Sequence, residues 1–534
     1  MSSRRWWSCF PRSSVGRPDF VTEFRCWNDR QRAAAEQIEA MLGELDFVRV
    51  AFCDIHGLAR SKTVPADVFR TILHNGMDFS PGPFLFDTGH AVAVGFLDDD
   101  PGVGVAEIAG AGDFVLVPDP LTFQLLPHAG PGTAWVLGDE YLRDGTPHPL
   151  SVRRVLRQVV ERYAAHEFVP VIGLEAEWYL TRRLDSPAGN EGNGFGLQGA
   201  APAVAAVDGG YQFNLDSYYD LLAPVTDPLA RMLKSLGLPL RSMEHESGPG
   251  QVETTFDPLA ALDAADAMVL FRTVAKQFCA RRGYHASFMT LPALDGFDPS
   301  GWHLHQSVMK AGTRENLFAG GDGGEGLSPE GKGYLDGLLD RARDFCLLSV
   351  PTVNGYRRMD PRFSLSPSTA NWSQENRSVM VRLIGEGPSL HMENRIGEPC
   401  ANPYLVMAAQ LAAGLDGVLG DERQQSPDER QQSPDERQQS PDERQQSPDE
   451  RQQPPDERQQ PPDGRPRLPG SLREAIEAFR GSEEAARLLG RPLVSCLVKL
   501  KESEASRFEE WCAAGSVSPD KVTEWEHREY FEVF

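Results

Sequence analysis

Two glutamates two residues apart, Glu175 and Glu177, interrupt the apolar run Val171-Ile-Gly-Leu-Glu-Ala-Glu-Trp-Tyr-Leu180. On a strand, residues two apart point to the same side, so both carboxylates share a face. Bare carboxylates in such a frame are costly to bury together. Four more fragments carry the same kind of residue: His-Glu246-Ser-Gly-Pro-Gly-Gln-Val-Glu253, Gly-Trp-His303-Leu-His305, Glu-Asn-Arg377 and Met-Glu393-Asn-Arg395. His303 and His305 share a face, as do Glu393 and Arg395. The Ser-Gly-Pro-Gly between Glu246 and Glu253 reads as a hairpin turn that folds both toward one ion. Burial of such a set becomes tolerable when divalent cations lie between its members, so a metal-dependent active site is the leading expectation. Oxygen ligands with a single imidazole suit Mg²⁺ or Mn²⁺ better than zinc. A lone Glu-x-Glu is more often a solvated face and a lone His-x-His more often structural; the ordered set carries the argument.

The 534 residues allow two or three domains. Residues 1–28 read as a disordered tail, because the first eighteen are rich in Arg and Ser and lack acids. Residues 29–44 have helical apolar spacing. Phe47 to Asp54 then reads as a strand, followed by an Ile-His-Gly turn and a second strand through Lys62-Thr-Val, opening a β-rich domain over 29–148. Strand-like Phe114-Val-Leu-Val-Pro and Ala134-Trp-Val-Leu belong to it. Ser151 caps a helix from Val152 to Glu167, and a long helix covers 259–281. Strands mixed with long helical crossovers predict an α/β domain over 149–420, and an α+β chain as a whole.

Residues 421–462 are six copies of Asp-Glu-Arg-Gln-Gln-Ser/Pro-Pro, each with two acids and one arginine, so −6 of the net −24 lies there. The seven-residue period matches a coiled coil, but every copy carries proline and offers no apolar seam. Residues 421–469 therefore read as a disordered insertion, and 470–534 resume with a capped helix after Leu468. The acidic balance disfavours nucleic-acid binding, and no basic patch is interleaved with aromatics. Eight scattered cysteines without a CxxC predict a reduced, cytoplasmic protein. No run of eighteen uninterrupted apolar residues predicts a membrane span.

In order and spacing, these fragments resemble the metal and substrate motifs of the glutamine synthetase superfamily, from about Phe47 to the C-terminus. Two stretches, Val48–Ala66 and Glu393–Ala409, look most like the lengsin branch of vertebrate lens proteins. The resemblance implies a β-grasp-like N-terminal domain, a catalytic domain, and active sites between subunits of a dodecamer built from two hexameric rings. By that correspondence Glu177, Glu246 and Glu253 would hold one Mg²⁺ or Mn²⁺, and Glu175, His303 and Glu393 a second that bridges the phosphates of ATP. Arg358, Arg377 and Arg395 correspond to substrate and phosphate arginines, with Arg382 on the same basic strand. Asp54 corresponds to the aspartate that helps bind ammonium across a subunit boundary, and His305 and Ser307 to residues on the nucleotide side.

The implied reaction phosphorylates the side-chain carboxylate of glutamate and then replaces phosphate with ammonia or another amine. Three departures bear on it. The flap glutamate that accepts the amine's proton falls near Ser364, which cannot act as that base without an activator of its own. The Asn-Gly of the glutamate-holding loop is Asp298-Pro299, which would repel a glutamate and lacks a backbone donor. A nucleotide-site arginine is His391. An altered site of this kind suits a ligase redirected to another amine. It equally suits a non-catalytic, chaperone-like lens protein in contact with intermediate filaments.

Overall fold

The computed structural model describes residues 18–98, 100–184, 194, 196, 198–313, 315–320, 326–360, 365–420, 466–515 and 521–534. The heptad repeat and Ser364 lie outside the described residues. The chain divides into two units, each described by itself. One unit runs to Phe52 and includes Arg60–Ser80 and Asp113–His148. The other comprises Cys53–Ala59, Pro81–Gly112 and Pro149–Phe534.

The smaller unit is built on β1 (Phe47–Cys53), β2 (Ala59–Pro65), β3 (Met77–Phe79), β4 (Phe114–Pro118), β5 (Gln124–Leu125) and β6 (Thr133–Tyr141), in the order β2-β1-β6-β4-β3 with β5 beside β6. The central pair β1 and β6 is parallel, whereas β4 and β5 run antiparallel to β6. This is a curled β half-barrel, and that description replaces the β-grasp-like domain expected from the sequence. The curl encloses a core in which Phe52 meets Phe79 and Phe114 edge-on at 5.3 and 5.4 Å. The helix Ala66–Asn75 adds buried Phe69, Ile72 and Leu73.

Order begins earlier than composition suggested. Asp19 caps a short helix, Phe20–Phe24, and Trp27 is buried with its indole N–H on the Pro118 carbonyl at 3.0 Å. One large aromatic with a satisfied N–H anchors a segment whose average composition is that of a tail.

The larger unit holds a nine-stranded sheet: β7 (Phe168–Arg183), β8 (Val204–Ala206), β9 (Leu240–His245), β10 (Gln251–Ala260), β11 (Tyr284–Ser287), β12 (Trp302–Lys310), β13 (Trp372–Gln374), β14 (Val381–Ile384) and β15 (His391–Gly397). Its order is β13-β14-β15-β12-β7-β10-β9, with β8 and β11 also on β7. Apart from the parallel β13–β14 pair, the registers assigned here are antiparallel, which corrects the expected α/β crossovers. The tight turn between β9 and β10 returns the chain directly, so no helix is needed to reverse it.

Helices Val152–Ala165, Ala261–Ala280 and Pro403–Leu419 cover one face of this sheet, and Trp178 on β7 packs beside Phe271 and Phe288. The Ser151 cap is present, accepting from the Arg154 amide. The three helices are tied together by a buried ion pair. Arg153 donates to both oxygens of Asp266 at 2.9 and 2.7 Å, and the Tyr404 hydroxyl donates to the same carboxylate at 2.6 Å. Arg153→Ala leaves that buried carboxylate short of its cation, so a loss of about 3 kcal/mol is expected in urea unfolding. A loss below about 1 kcal/mol would show that the pair does not hold the helix layer.

One sequence boundary shifts at the end of the domain. Leu468 is buried and Arg467 bridges to Thr369, so residues before 470 already belong to this unit. Ser471 then caps Leu472–Arg480, and a Thr523/Glu526 capping box starts Glu524–Tyr530. Among the described residues no helix is long and apolar enough to cross a membrane, and the seven described cysteines are free.

Candidate active site

The sheet brings the sequence fragments onto one face by register. On β7, Leu174, Ala176 and Trp178 are buried toward the helices, while Glu175 and Glu177 turn to the opposite, half-open side. Glu253 of β10 lies opposite Glu177, and His303 of β12 opposite Glu175. His305 faces Glu393 of β15, and Arg382 of β14 faces Glu393 from its other edge. Five neighbouring strands therefore each contribute to one patch.

Ligating atoms converge in two groups, Glu175–His303–Glu393 and Glu177–Glu253–His303, each within 4.8 Å. His303 belongs to both. Its Nδ1 donates to Glu175 Oε1 at 2.5 Å and lies 3.4 Å from Glu393 Oε1. Its Nε2 lies 3.3 Å from Arg358 Nη2 and 4.0 Å from Glu177 Oε1. His305 Nε2 donates to the second oxygen of Glu175 at 3.0 Å, and its ring lies 5.2 Å from that of His391. Glu393 also receives Arg395 Nη1, and Arg382 Nη1 at 3.3 Å.

Charge divides this patch in two. Burial works against ionised Glu175, but the charge and hydrogen bond of His303 together with His305 hold it well below the usual carboxylate range. Burial likewise opposes ionised Glu393, and the charges of His303 and Arg395 outweigh it. On the other side, burial and then the Glu177 charge push Glu246 up to about 8. Burial, followed by the charges of Glu175, Glu177 and Glu246, pushes Glu253 up to about 10. The Glu246–Glu253 side thus collects acids whose combined charge the protein does not neutralise.

That deficit tests the fit of a metal. An oxygen-rich donor set with one imidazole, carrying more negative charge than its own cations balance, suits Mg²⁺ or Mn²⁺. Glu175, His303, Glu393, Glu177 and Glu253 have the reach to hold one. Glu246 ends the β9 side of the hairpin, with its amide on the Gln251 carbonyl at 2.9 Å, and stands outside both converging groups.

The remaining sequence candidates separate clearly. Arg358 is buried, with Nη1 on the Arg395 carbonyl at 2.9 Å, and burial lowers its pKa to about 10. Arg395 and Arg382 are in the patch. Ser307 is buried two residues beyond His305 on the same strand face. Arg377 is exposed in the β13–β14 connection and reaches none of the clustered groups. Asp54 is fully buried, its Oδ1 accepting the amides of His56 and Leu58 at 2.9 Å each, so in this chain it closes its own turn.

Sequence reasoning missed the residues that orient Glu177. Its Oε2 accepts the Gly301 amide at 2.8 Å and Gln251 Nε2 at 3.3 Å, and Gln251 also reaches Ser300 at 2.9 Å. Strand alternation contained that signal, since Gln251 and Glu253 are two apart on one strand. Tyr179 was missed too. Its hydroxyl donates to the Asp298 carbonyl at 2.6 Å and accepts the Asp298 amide at 2.8 Å, fixing the loop that bears Asp298-Pro299.

Residues 149–530 match the family described as glutamine synthetase, catalytic domain. The chain belongs to the glutamine synthetase family. It is 36% identical over 526 residues to a gamma-glutamylanilide synthase of Acinetobacter, covering 96% of this chain and 99% of that one. It is 28% identical over 504 residues to a gamma-glutamylethanolamide synthetase of Streptomyces coelicolor, covering 93% and 95%. A solved complex of GmaS with ADP superimposes with a TM-score of 0.67 at 26% identity, over 93% of this chain and 98% of that chain. The narrower likeness to lengsin gives way to these relatives, matched over nearly their whole length, and lens, chaperone and filament roles find no support in them. The family, the ADP-bound relative and the Glu/His groups are together consistent with ATP and a divalent metal.

Proposed function

We propose that this chain is an ATP- and Mg²⁺- or Mn²⁺-dependent ligase that joins the γ-carboxylate of glutamate to an amine, with an aromatic amine of the aniline class as acceptor. The observation that carries the ligase reading is the pair of carboxylate groups meeting at His303 on one sheet face. Similarity to an anilide-forming relative along nearly the whole chain supports the acceptor class.

In the first step a γ-carboxylate oxygen of glutamate attacks the γ-phosphorus of ATP, and ADP leaves. In the second, the amine nitrogen attacks the acyl carbon, phosphate departs with the bonding pair, and the nitrogen gives up one proton. Divalent ions held by Glu175, His303 and Glu393, and by Glu177, Glu246 and Glu253, would neutralise charge on the phosphates. Arg358, Arg382 and Arg395 contribute fixed positive charge beside them, and Arg377 is the exposed arginine that a bound substrate would have to order. His305 and Ser307 lie on the side assigned to the nucleotide. Two hexameric rings, with Asp54 near a neighbour's amine site, belong to the same proposal.

The acceptor class also accounts for Ser364. Ammonia and alkylamines are largely protonated at neutral pH, so a site for them needs a base on the flap. An aniline arrives unprotonated, and once its nitrogen has attacked, the proton it carries is acidic enough for a weak base to remove. Serine at that position is then no handicap.

The test is phosphate release from ATP, Mg²⁺ and glutamate with ammonia, methylamine, ethanolamine or aniline, with products identified by mass. γ-Glutamylanilide as the preferred product is expected. Preference for ammonia would overturn the acceptor assignment, and absence of amine-dependent release would overturn the ligase.

A further inference from the structure

The segment joining β8 to the helix Asp216–Ser235 carries two conspicuously exposed aromatics, Tyr211 at 82% and Phe213 at 65%. It is nonetheless firmly held. Asp208 accepts the Gly210 amide at 2.8 Å through one oxygen, and the Gly250 amide and His245 Nε2 at 3.0 and 3.2 Å through the other. The Tyr211 amide donates to the Ser247 carbonyl at 2.8 Å, and the Asn214 amide to the His245 carbonyl at 3.1 Å. Gly210 presses on Pro249 so closely that a Cβ there would lie 2.9 Å from its ring. The segment is therefore clamped to the turn that bears Glu246, and in the chain Phe213 lies between the two residues whose amides bond to that turn.

One residue of this clamp, Tyr211, pays a conformational cost. Its φ is 70°, a region that bulky side chains rarely adopt, whereas Asn214 at 53° is a residue type that tolerates it. Exposed aromatic surface and left-handed backbone are each unfavourable in a free loop. Rigidly combined in a segment bonded to the turn that bears Glu246, they describe a preformed apolar contact for a ligand.

We infer that Phe213 is a specificity-determining residue that supports the ring of the acceptor amine at the Glu246 edge of the site. This deepens the ligase proposal and rests on it. A flat apolar side chain offers a ring stacking or edge contact and offers nothing to ammonia, so it discriminates by acceptor rather than acting on the chemistry.

The experiment compares kcat/KM for aniline with kcat/KM for ammonia in the unmodified protein, Phe213→Ala and Phe213→Tyr, with assembly mass followed in parallel. The expected result is a fall of about tenfold in the aniline-to-ammonia ratio for Phe213→Ala, the scale on which one apolar contact discriminates. Recovery is expected in Phe213→Tyr, with all three proteins of equal mass. An unchanged ratio in an active Phe213→Ala overturns the inference and leaves the ligase standing. A fall that Phe213→Tyr does not recover, or one that accompanies a change of assembly, also overturns it. If the unmodified protein shows no amine-dependent turnover at all, the ligase reading fails first and takes this inference with it.

Discussion

His303→Ala is expected to lower amine-dependent phosphate release by more than about a hundredfold and to abolish saturable Mn²⁺ binding. The reason is its shared position. His303 belongs to both groups of converging ligand atoms, so one substitution removes a donor from each. It also strips Glu175 of its 2.5 Å hydrogen bond and Glu393 of its nearest imidazole, leaving two buried carboxylates with weaker compensation. His305→Ala should be milder, because it touches only the second oxygen of Glu175. Mn²⁺ titration of both variants, alongside Glu177→Ala, separates these effects from misfolding if far-ultraviolet circular dichroism is unchanged. Mn²⁺ affinity in His303→Ala equal to that of the unmodified protein would show that the clustered face does not bind metal.

A second large effect concerns pH. Glu246 and Glu253 stand at about 8 and about 10, against 4.5 for an unperturbed glutamate. Carboxyls raised in the folded state are protonated there while the unfolded chain has already lost those protons. Their contribution is fully present below pH 4.5 and drains away as pH rises through the folded values. Metal-free protein should therefore melt at progressively lower temperature between about pH 5 and pH 9. Glu175 and Glu393 act in the opposite sense, but only in acid, because their pKa values are depressed. Glu253→Gln should flatten the alkaline decline and raise the melting temperature of the metal-free protein at pH 8. Mg²⁺ should then stabilise the unmodified protein at pH 8 far more than the variant, since ligation requires the ionised carboxylate. Thermal melts in chelator at several pH values check this. A melting temperature flat from pH 5 to 9 would mean that these carboxyls are not under strain.

Much of the site was legible as spacing. Glu175/Glu177, His303/His305 and Glu393/Arg395 fall on shared faces because strand period is a local property of the backbone. The Ser-Gly-Pro-Gly turn was legible for the same reason, since glycine and proline limit a turn's geometry within four residues. The structure adds what the remaining positions touch. Asp54, which corresponds to an aspartate that helps bind ammonium across a subunit boundary, accepts the amides of His56 and Leu58 within its own turn. Arg377 read as part of a basic strand, and it lies in an exposed turn that precedes the strand. Tyr179 and Gln251 were passed over because their importance comes from Asp298 and Ser300, which are far away in the chain.

Local alternation and turn chemistry determined that this chain would present carboxylates and imidazoles on strand faces. Those properties depend on nearest neighbours and survive without a fold. Only the tertiary structure decided that β7 lies between β12 and β10, making His303 common to both ligand groups. Only it decided that the sheet would be antiparallel, and that a loop from residue 208 onward would be clamped over the Glu246 turn. Strand order and long-range hydrogen bonds follow from packing the whole core at once, so no window of sequence contains them.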